Sequence, residues 1–204
     1  MLTNIEDLNS FSSVFIKHAS PTMCSIKPSN LFSVPVSLFS NQKVQFWKNN
    51  LRKNGIDMRY FKISKDRIQI FSFNVFWVQE ILKNQNVKNF LESKNYDLKG
   101  GLQNLLGQLF KRVLTAQNFP HEIGIFLGYP LEDVILFEKQ NGKNCKYCGC
   151  WKSYSNAEEA KSCCCKYKQC SEFCLAGYKN GLPIQQVIEN YKKIFVKQER
   201  AISA

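Results

Sequence analysis

The sequence predicts an α+β fold, with a small, mainly antiparallel sheet of about four strands packed against helices and a helical C-terminus. Three observations predict it. Two runs rich in β-branched and aromatic residues, 56–63 and 67–73, flank Ser64-Lys65-Asp66, a connection short enough for a hairpin. Leu102, Leu105, Leu106, Leu109, Phe110 and Val113 form an apolar stripe at the helical period. Strands and helices do not alternate regularly and no glycine-rich phosphate loop is present, which argues against a doubly wound nucleotide-binding sheet.

The elements follow in order. Residues 1–40 carry Pro21, Pro28 and Pro35 among many serines and read as irregular, with at most a short helix at the start. Val44, Trp47 and Leu51 share one face of a helix over 41–54, and Gly55 is its stop. The hairpin comes next. A helical stretch from Val75 to about Leu91 breaks near Asn84-Gln85-Asn86, and Gly100-Gly101 precedes the leucine-striped helix. The apolar run 122–127 reads as a buried strand. Gly128-Tyr129 turns into a helix opening at Pro130, where Glu132 and Asp133 suit the positive end of the dipole, and Gly142 ends it. Residues 147–154 read as a fourth strand. Asn156 and Glu159 have the spacing of a capping box for a helix reaching about Leu175. A last helix begins at Pro183, with Ile184, Val187, Ile188, Tyr191, Ile194 and Phe195 on one face. A chain of 204 residues with this pattern is expected to be one domain, with a cysteine-rich part at 145–174.

Hydrophobic residues make up 44% and charged residues 22%, a balance that excludes intrinsic disorder. No apolar run approaches the roughly 18 residues of a membrane span. The first residues are acidic and lack the apolar stretch of a secretory leader, so the expected setting is the cytoplasm, where thiols stay reduced. The formal charge of +12 favours acidic partners, nucleic acid among them. Against that, the basic residues are scattered, with no run of five or more. Tyr60, Phe71 and Phe73 on the hairpin are candidates for base stacking, but without an RNA-binding signature such aromatics are more often core.

Two segments carry a resemblance. The stretch Phe119-Pro120-His121-Glu122-Ile123-Gly124-Ile125-Phe126-Leu127-Gly128-Tyr129-Pro130-Leu131-Glu132-Asp133-Val134 is one. His18-Ala19-Ser20-Pro21-Thr22, followed by Lys27 and by Asn30-Leu31-Phe32-Ser33, is the other. With Gly149 to Tyr154 and the order of elements, they resemble the bacterial domain-of-unknown-function family 3793 over nearly the whole chain. The resemblance implies no particular reaction. It implies a setting near flavodoxins and iron-uptake proteins, and hence a flavodoxin-like or iron-metabolism partner. The chain departs from the family pattern at Ser25 and Ser29, where small or glycine residues are expected, at Cys150 in place of an aromatic, and at Ser155-Asn156 in place of a Gly-Asp turn.

His18 and His121 are the only histidines, and both fall in those segments. Histidine suits proton transfer near neutrality, so His121, Glu122 and His18 are the candidate acid–base residues. The alternative is that His121 serves a turn and Asp133 only the helix dipole. Ser20, Thr22, Lys27, Asn30, Gly128, Tyr129 and Asp133 are the candidate ligand contacts, expected to join the histidines in one polar pocket. Glu122, next to an apolar run, needs a partner, and His121, Lys27 and His18 are the candidates.

Eight of the nine cysteines lie between Cys145 and Cys174. Cys145, Cys148 and Cys150 have short metal-ligand spacing, and Cys148 and Cys150 are expected on one buried strand face. Cys163, Cys170 and Cys174 share a helical stripe with Tyr167. Zinc or an iron–sulfur cluster, a reversible disulfide, and simple packing as small hydrophobes are the three readings. The functional expectation is an accessory protein of redox or iron metabolism that binds a small ligand or a partner. The alternatives are an acid–base enzyme and a nucleic-acid binder.

Overall fold

Strand β3 (Arg67–Asn74) lies between two antiparallel neighbours, β1 (Ser29–Pro35) and β2 (Ile56–Lys62). The β2–β3 register runs from Ile56 opposite Asn74 to Lys62 opposite Ile68, so the expected hairpin is present. The β1–β3 register runs from Ser29 opposite Phe73 to Pro35 opposite Arg67. The computed structural model describes residues 10–115 and 119–196. They divide into two compact units: one from the described parts of Met1–Asn74 and Cys165–Ala204, the other Val75–Cys164.

In the first unit, α1 (Phe11–Met23) corrects the expectation of irregular structure before residue 40. Ser10 caps it, its hydroxyl accepting from the Ser13 N–H at 3.2 Å. Phe11, Phe15, Ile16, Ala19 and Met23 make its buried face. That helical stripe was masked by the serines and by Pro21, which sits in the last turn, where the helix goes without one i→i−4 bond and ends two residues later. Strand β1 was hidden for the same reason, since Pro28 and Pro35 bracket it.

Helix α2 (Asn41–Leu51) buries Val44, Trp47 and Leu51 and passes through a 3₁₀ turn to Gly55, whose φ of +74° closes it. Phe15 and Trp47 meet with ring centroids 4.8 Å apart. Phe71 and Phe73 are fully buried, so only Tyr60 of the three hairpin aromatics is exposed. The C-terminal part of α8 (Ala157–Lys179) and α9 (Ile184–Tyr191) complete this unit, with Ile184, Val187, Ile188 and Tyr191 inward.

The second unit is built from α3 (Val75–Ile81), α4 (Gln85–Ser93), α5 (Gly101–Thr115), α6 (Ile123–Phe126), α7 (Leu131–Lys139), the hairpin β4 (Tyr147–Cys148) and β5 (Lys152–Ser153), and the start of α8. The leucine stripe of α5 is buried at Leu102, Leu105, Leu106 and Leu109. Asn156 caps α8, its side-chain oxygen accepting from the Glu159 N–H at 3.1 Å, and the Glu159 carboxylate accepts in return from the Asn156 side-chain amide at 3.2 Å, a side-chain variant of the expected capping box.

Two strand expectations are corrected. Residues 122–127 form a buried helical turn around α6, because the short apolar run 123–127 has no period to separate strand from helix and Pro120 and Gly128 confine it. Residues 147–154 do not run on as one strand. The chain reverses after Cys148, where the Gly149 N–H donates to the Trp151 carbonyl at 3.0 Å and Tyr147 covers Gly149 so closely that no Cβ would fit. Among the described residues, no helix is long and apolar enough to cross a membrane.

Candidate functional site

The hallmark segment of the second unit builds its site from a turn. The Pro120, His121 and Glu122 carbonyls accept from the N–H groups of Ile123, Gly124 and Ile125 at 3.2, 3.0 and 3.0 Å, which starts α6. Gly128, at φ +81°, reverses the chain, and the Tyr129 N–H returns to the Gly124 carbonyl at 2.9 Å. Gly124 has no room for a side chain: a Cβ there would stand 2.8 Å from Val134 Cγ2 and 3.2 Å from the Tyr129 ring. This close approach brings α6 against α7.

Asp133, in the first turn of α7, is 2% exposed. One carboxylate oxygen accepts from the Trp151 indole N–H at 2.7 Å; the other accepts from the Tyr154 N–H, the Ser155 N–H and the Ser155 hydroxyl, each at 2.8 Å. Burial opposes its ionisation, but these donors override it and hold the carboxyl below the ordinary aspartate range. Asp133 thus serves the β4–β5 hairpin rather than its own helix dipole. The Tyr129 and Trp151 rings stack at 5.1 Å and 19°, and the Tyr129 hydroxyl donates to the Cys150 carbonyl at 3.2 Å. Burial, followed by the nearby Cys150 and Cys164 thiols, pushes the Tyr129 phenol above its ordinary range.

These elements enclose a cavity of about 350 Å³. His121, Tyr129, Asp133 and Cys148 line it among the expected residues, together with Phe119, Phe137, Trp151 and Lys152, which had not been singled out as contacts. His121 is exposed and meets the Phe137 ring edge-on at 4.8 Å. The Lys152 ammonium donates to the Gly142 carbonyl at 2.7 Å and stands 5.9 Å from the centre of Phe137.

Glu122 is buried, as its setting required, but its partners were misidentified. The Tyr96 hydroxyl donates to it at 3.1 Å and the Arg112 guanidinium pairs with it at 3.3 Å. Arg112 also lies 4.0 Å from the centre of the Tyr96 ring. Arg112 belongs to the leucine-striped helix, about one turn after Leu109, and that placement was the signal in the sequence.

The other motif lies in the first unit. His18 stacks on Phe32 at 5.1 Å; that partial burial, with the charge of Lys17, lowers its pKa. Ser20 donates to the Ile16 carbonyl at 2.5 Å, and Thr22 donates to Asn30 at 2.6 Å. Lys27 is buried, 5.4 Å from the centre of the Tyr167 ring. After α1 the chain turns through Ser25 at φ +59°, and the Ile26 and Lys27 N–H groups both return to the Pro21 carbonyl.

All nine cysteines are free thiols. Cys148 and Cys150 are exposed, against the expectation of a buried strand face, because the hairpin reverses there. Cys145 and Cys163 are half-buried. Cys170 and Cys174 are fully buried in the first unit with Cys24, the cysteine outside the C-terminal cluster. The three sulfurs lie within 4.8 Å of one another, an arrangement that could hold a metal ion. Cys24 was overlooked because it stands alone in the sequence, yet it directly follows the buried stripe of α1.

Comparison with known proteins gives one match. The family model described as protein of unknown function (DUF3793) covers residues 15–188, a span that contains both motif segments and all the cysteines. No curated protein and no solved structure matches the chain. With most of its length matched, the chain belongs to the DUF3793 family.

Proposed function

We propose that the protein is an accessory binding protein whose second unit holds a flat small molecule bearing an anionic group. The observation that supports this most is the cavity of about 350 Å³ lined by Phe119, Tyr129, Phe137 and Trp151, with Lys152 and His121 as its cationic and hydrogen-bonding groups. Mostly apolar, aromatic lining with few polar groups is the composition of small-molecule sites, and the volume suits a fused two-ring system. Lysine gives an anion a point charge without fixing its angle.

Acid–base catalysis by His121 has less support. Both carboxylates expected to work with it are engaged elsewhere, Glu122 by Tyr96 and Arg112 and Asp133 by the 151–155 segment. Nucleic-acid binding keeps the +12 charge in its favour but loses Phe71 and Phe73 as stacking platforms. For the first unit the same accessory reading supplies zinc or an iron–sulfur group, supported by Cys24, Cys170 and Cys174. A flavodoxin-like or iron-metabolism protein is the partner that this role calls for, in the reducing cytoplasm.

The test is a calorimetric titration of the full chain with 2-naphthoate and with uncharged 2-naphthol. The expected result is saturable naphthoate binding at least tenfold tighter than naphthol, with the difference lost in Lys152→Ala. No binding of either compound at millimolar concentration would overturn the proposal, and so would equal affinity for both.

A further inference from the structure

We propose that Cys24, Cys170 and Cys174 form a closed three-thiolate site for a single thiophilic metal ion, with zinc(II) as the reference. This rests on the cofactor reading above and narrows it, from zinc or a cluster to one ion and from six candidate cysteines to two of them, Cys170 and Cys174, joined by Cys24.

Convergence is the first argument. Cys24 comes from the end of α1, and Cys170 and Cys174 stand one turn apart on the same face of α8. Positions i and i+4 lie one above the other on a helix and can reach one ion together. Cys24 and Cys174 are 150 residues apart in sequence, yet their sulfurs are 3.5 Å apart. Cysteines that serve only as small hydrophobes fill separate gaps against hydrocarbon. Here three sulfurs face one another instead.

Distance decides what they would hold. Zinc–sulfur bonds of about 2.3 Å place neighbouring sulfurs about 3.8 Å apart in a tetrahedron and about 4.0 Å apart in a trigonal plane. The measured separations, 3.5 Å for one pair and all within 4.8 Å, bracket both values. An iron–sulfur cluster interposes several irons and sulfides between its thiolates and would have to spread them farther. Soft thiolates select zinc or monovalent copper over magnesium, calcium or manganese.

The surroundings suit a metal-bound thiolate set. All three cysteines are completely buried in a core that includes Met23, Ile184, Val187 and Ile188, so bulk water is excluded. Lys27, three residues beyond Cys24, is buried over Tyr167, which precedes Cys170 by one turn on the same stripe. Three thiolates around a divalent ion carry one net negative charge, and Lys27 places a positive charge in the same buried unit. Because the site has no exposed edge, loading accompanies folding.

The experiment uses the full chain, unfolded under anaerobic reducing conditions and refolded with one equivalent of zinc. The expected result is one zinc retained per chain after gel filtration, with X-ray absorption showing three sulfur neighbours at about 2.3 Å. Cys148→Ser/Cys150→Ser, which alters only exposed thiols, should retain zinc equally, while Cys174→Ser should bind it at least tenfold more weakly. Loss of zinc in the exposed double variant would overturn the site, as would full retention in Cys174→Ser. If Cys174→Ser does not fold, the sulfur count on the unaltered chain decides: fewer than three overturns it. A parallel refolding with iron and sulfide separates the two readings. Cluster absorbance without zinc retention sinks the single-ion site and leaves the cofactor reading standing, whereas no metal of either kind removes both.

Discussion

The indole N–H of Trp151 donates to the buried carboxylate of Asp133 at 2.7 Å, tying the turn of the β4–β5 hairpin to the first turn of α7. With the Tyr154 and Ser155 bonds to the other oxygen, one side chain fixes the loop that supplies Trp151 and Lys152 to the cavity. Asp133→Asn keeps the shape but turns one acceptor into a donor facing donors. The expected loss is about 2–3 kcal/mol of stability, since buried donors are left unmade, together with loss of naphthoate binding. The pH dependence has a definite sign. A folded pKa below the unfolded value of about 3.9 gives stability that is complete above that value and lost as the pH falls toward the folded pKa. Denaturant titrations between pH 3 and 6 should show this acid-side loss in the unaltered chain and a smaller one in Asp133→Asn.

The Glu122–Arg112 pair makes an asymmetric prediction. Glu122 is 7% exposed and Arg112 30%, so removing the arginine strands a buried carboxylate, whereas neutralising the glutamate does not. Arg112→Ala should cost about 2–3 kcal/mol, below the full value for a completely buried pair because solvent reaches the guanidinium. Glu122→Gln, which can still accept from Tyr96, should cost about 1 kcal/mol. Equal losses measured by urea unfolding would mean that the charge on Glu122 is not what Arg112 serves.

Where a single period dominates, the sequence was legible. The leucine stripe of α5, the 56–74 hairpin, the Trp47 helix and the capping box at Asn156 all appear where their patterns place them. It was not legible where two signals compete. Pro21 outweighed the Phe11–Met23 stripe although it sits in the last turn of that helix. The 123–127 run is apolar on every side and carries no period. The candidate site was read in part: His121, Tyr129 and Asp133 line the cavity, but Phe119, Phe137 and Lys152 were not among the candidate contacts, although Phe119 and Lys152 fall in the segments that carry the family resemblance. Partners brought together by tertiary packing, such as Arg112 for Glu122 and Cys24 for Cys174, leave only a position on a helix face as their trace.

Ser25 tests the turn between the two halves of the N-terminal motif. It adopts φ +59°, a left-handed conformation that costs a side chain about 1 kcal/mol or more, and glycine is free of that cost. The flexibility glycine adds to the unfolded chain offsets part of the gain. Ser25→Gly should therefore stabilise by about 0.5 kcal/mol and Ser25→Val should destabilise by more than about 1 kcal/mol. A Ser25→Gly variant less stable than the unaltered chain would show that the serine hydroxyl, not the backbone angle, determines that turn.

His121 separates binding from architecture. Its ring is exposed, meeting Phe137 edge-on at 4.8 Å and a tilted Phe119 ring at 6.4 Å. Contacts of that kind are worth about 1 kcal/mol or less at a surface. For a chain of this size such a loss lowers Tm by only about 2–4 °C. His121→Gln keeps a hydrogen-bonding group but no aromatic ring beside the cavity, so naphthoate affinity should fall about tenfold with that small change in Tm. Gly124→Ala should do the reverse. Its new Cβ strikes Val134 and the Tyr129 ring, so Tm falls strongly, and binding falls only as far as the pocket is displaced. Calorimetry and thermal melts on both variants decide between the roles. If His121→Gln melts as early as Gly124→Ala yet binds naphthoate normally, His121 supports the hairpin and Phe137 rather than the ligand, and Lys152 is left as the polar group that selects the anion.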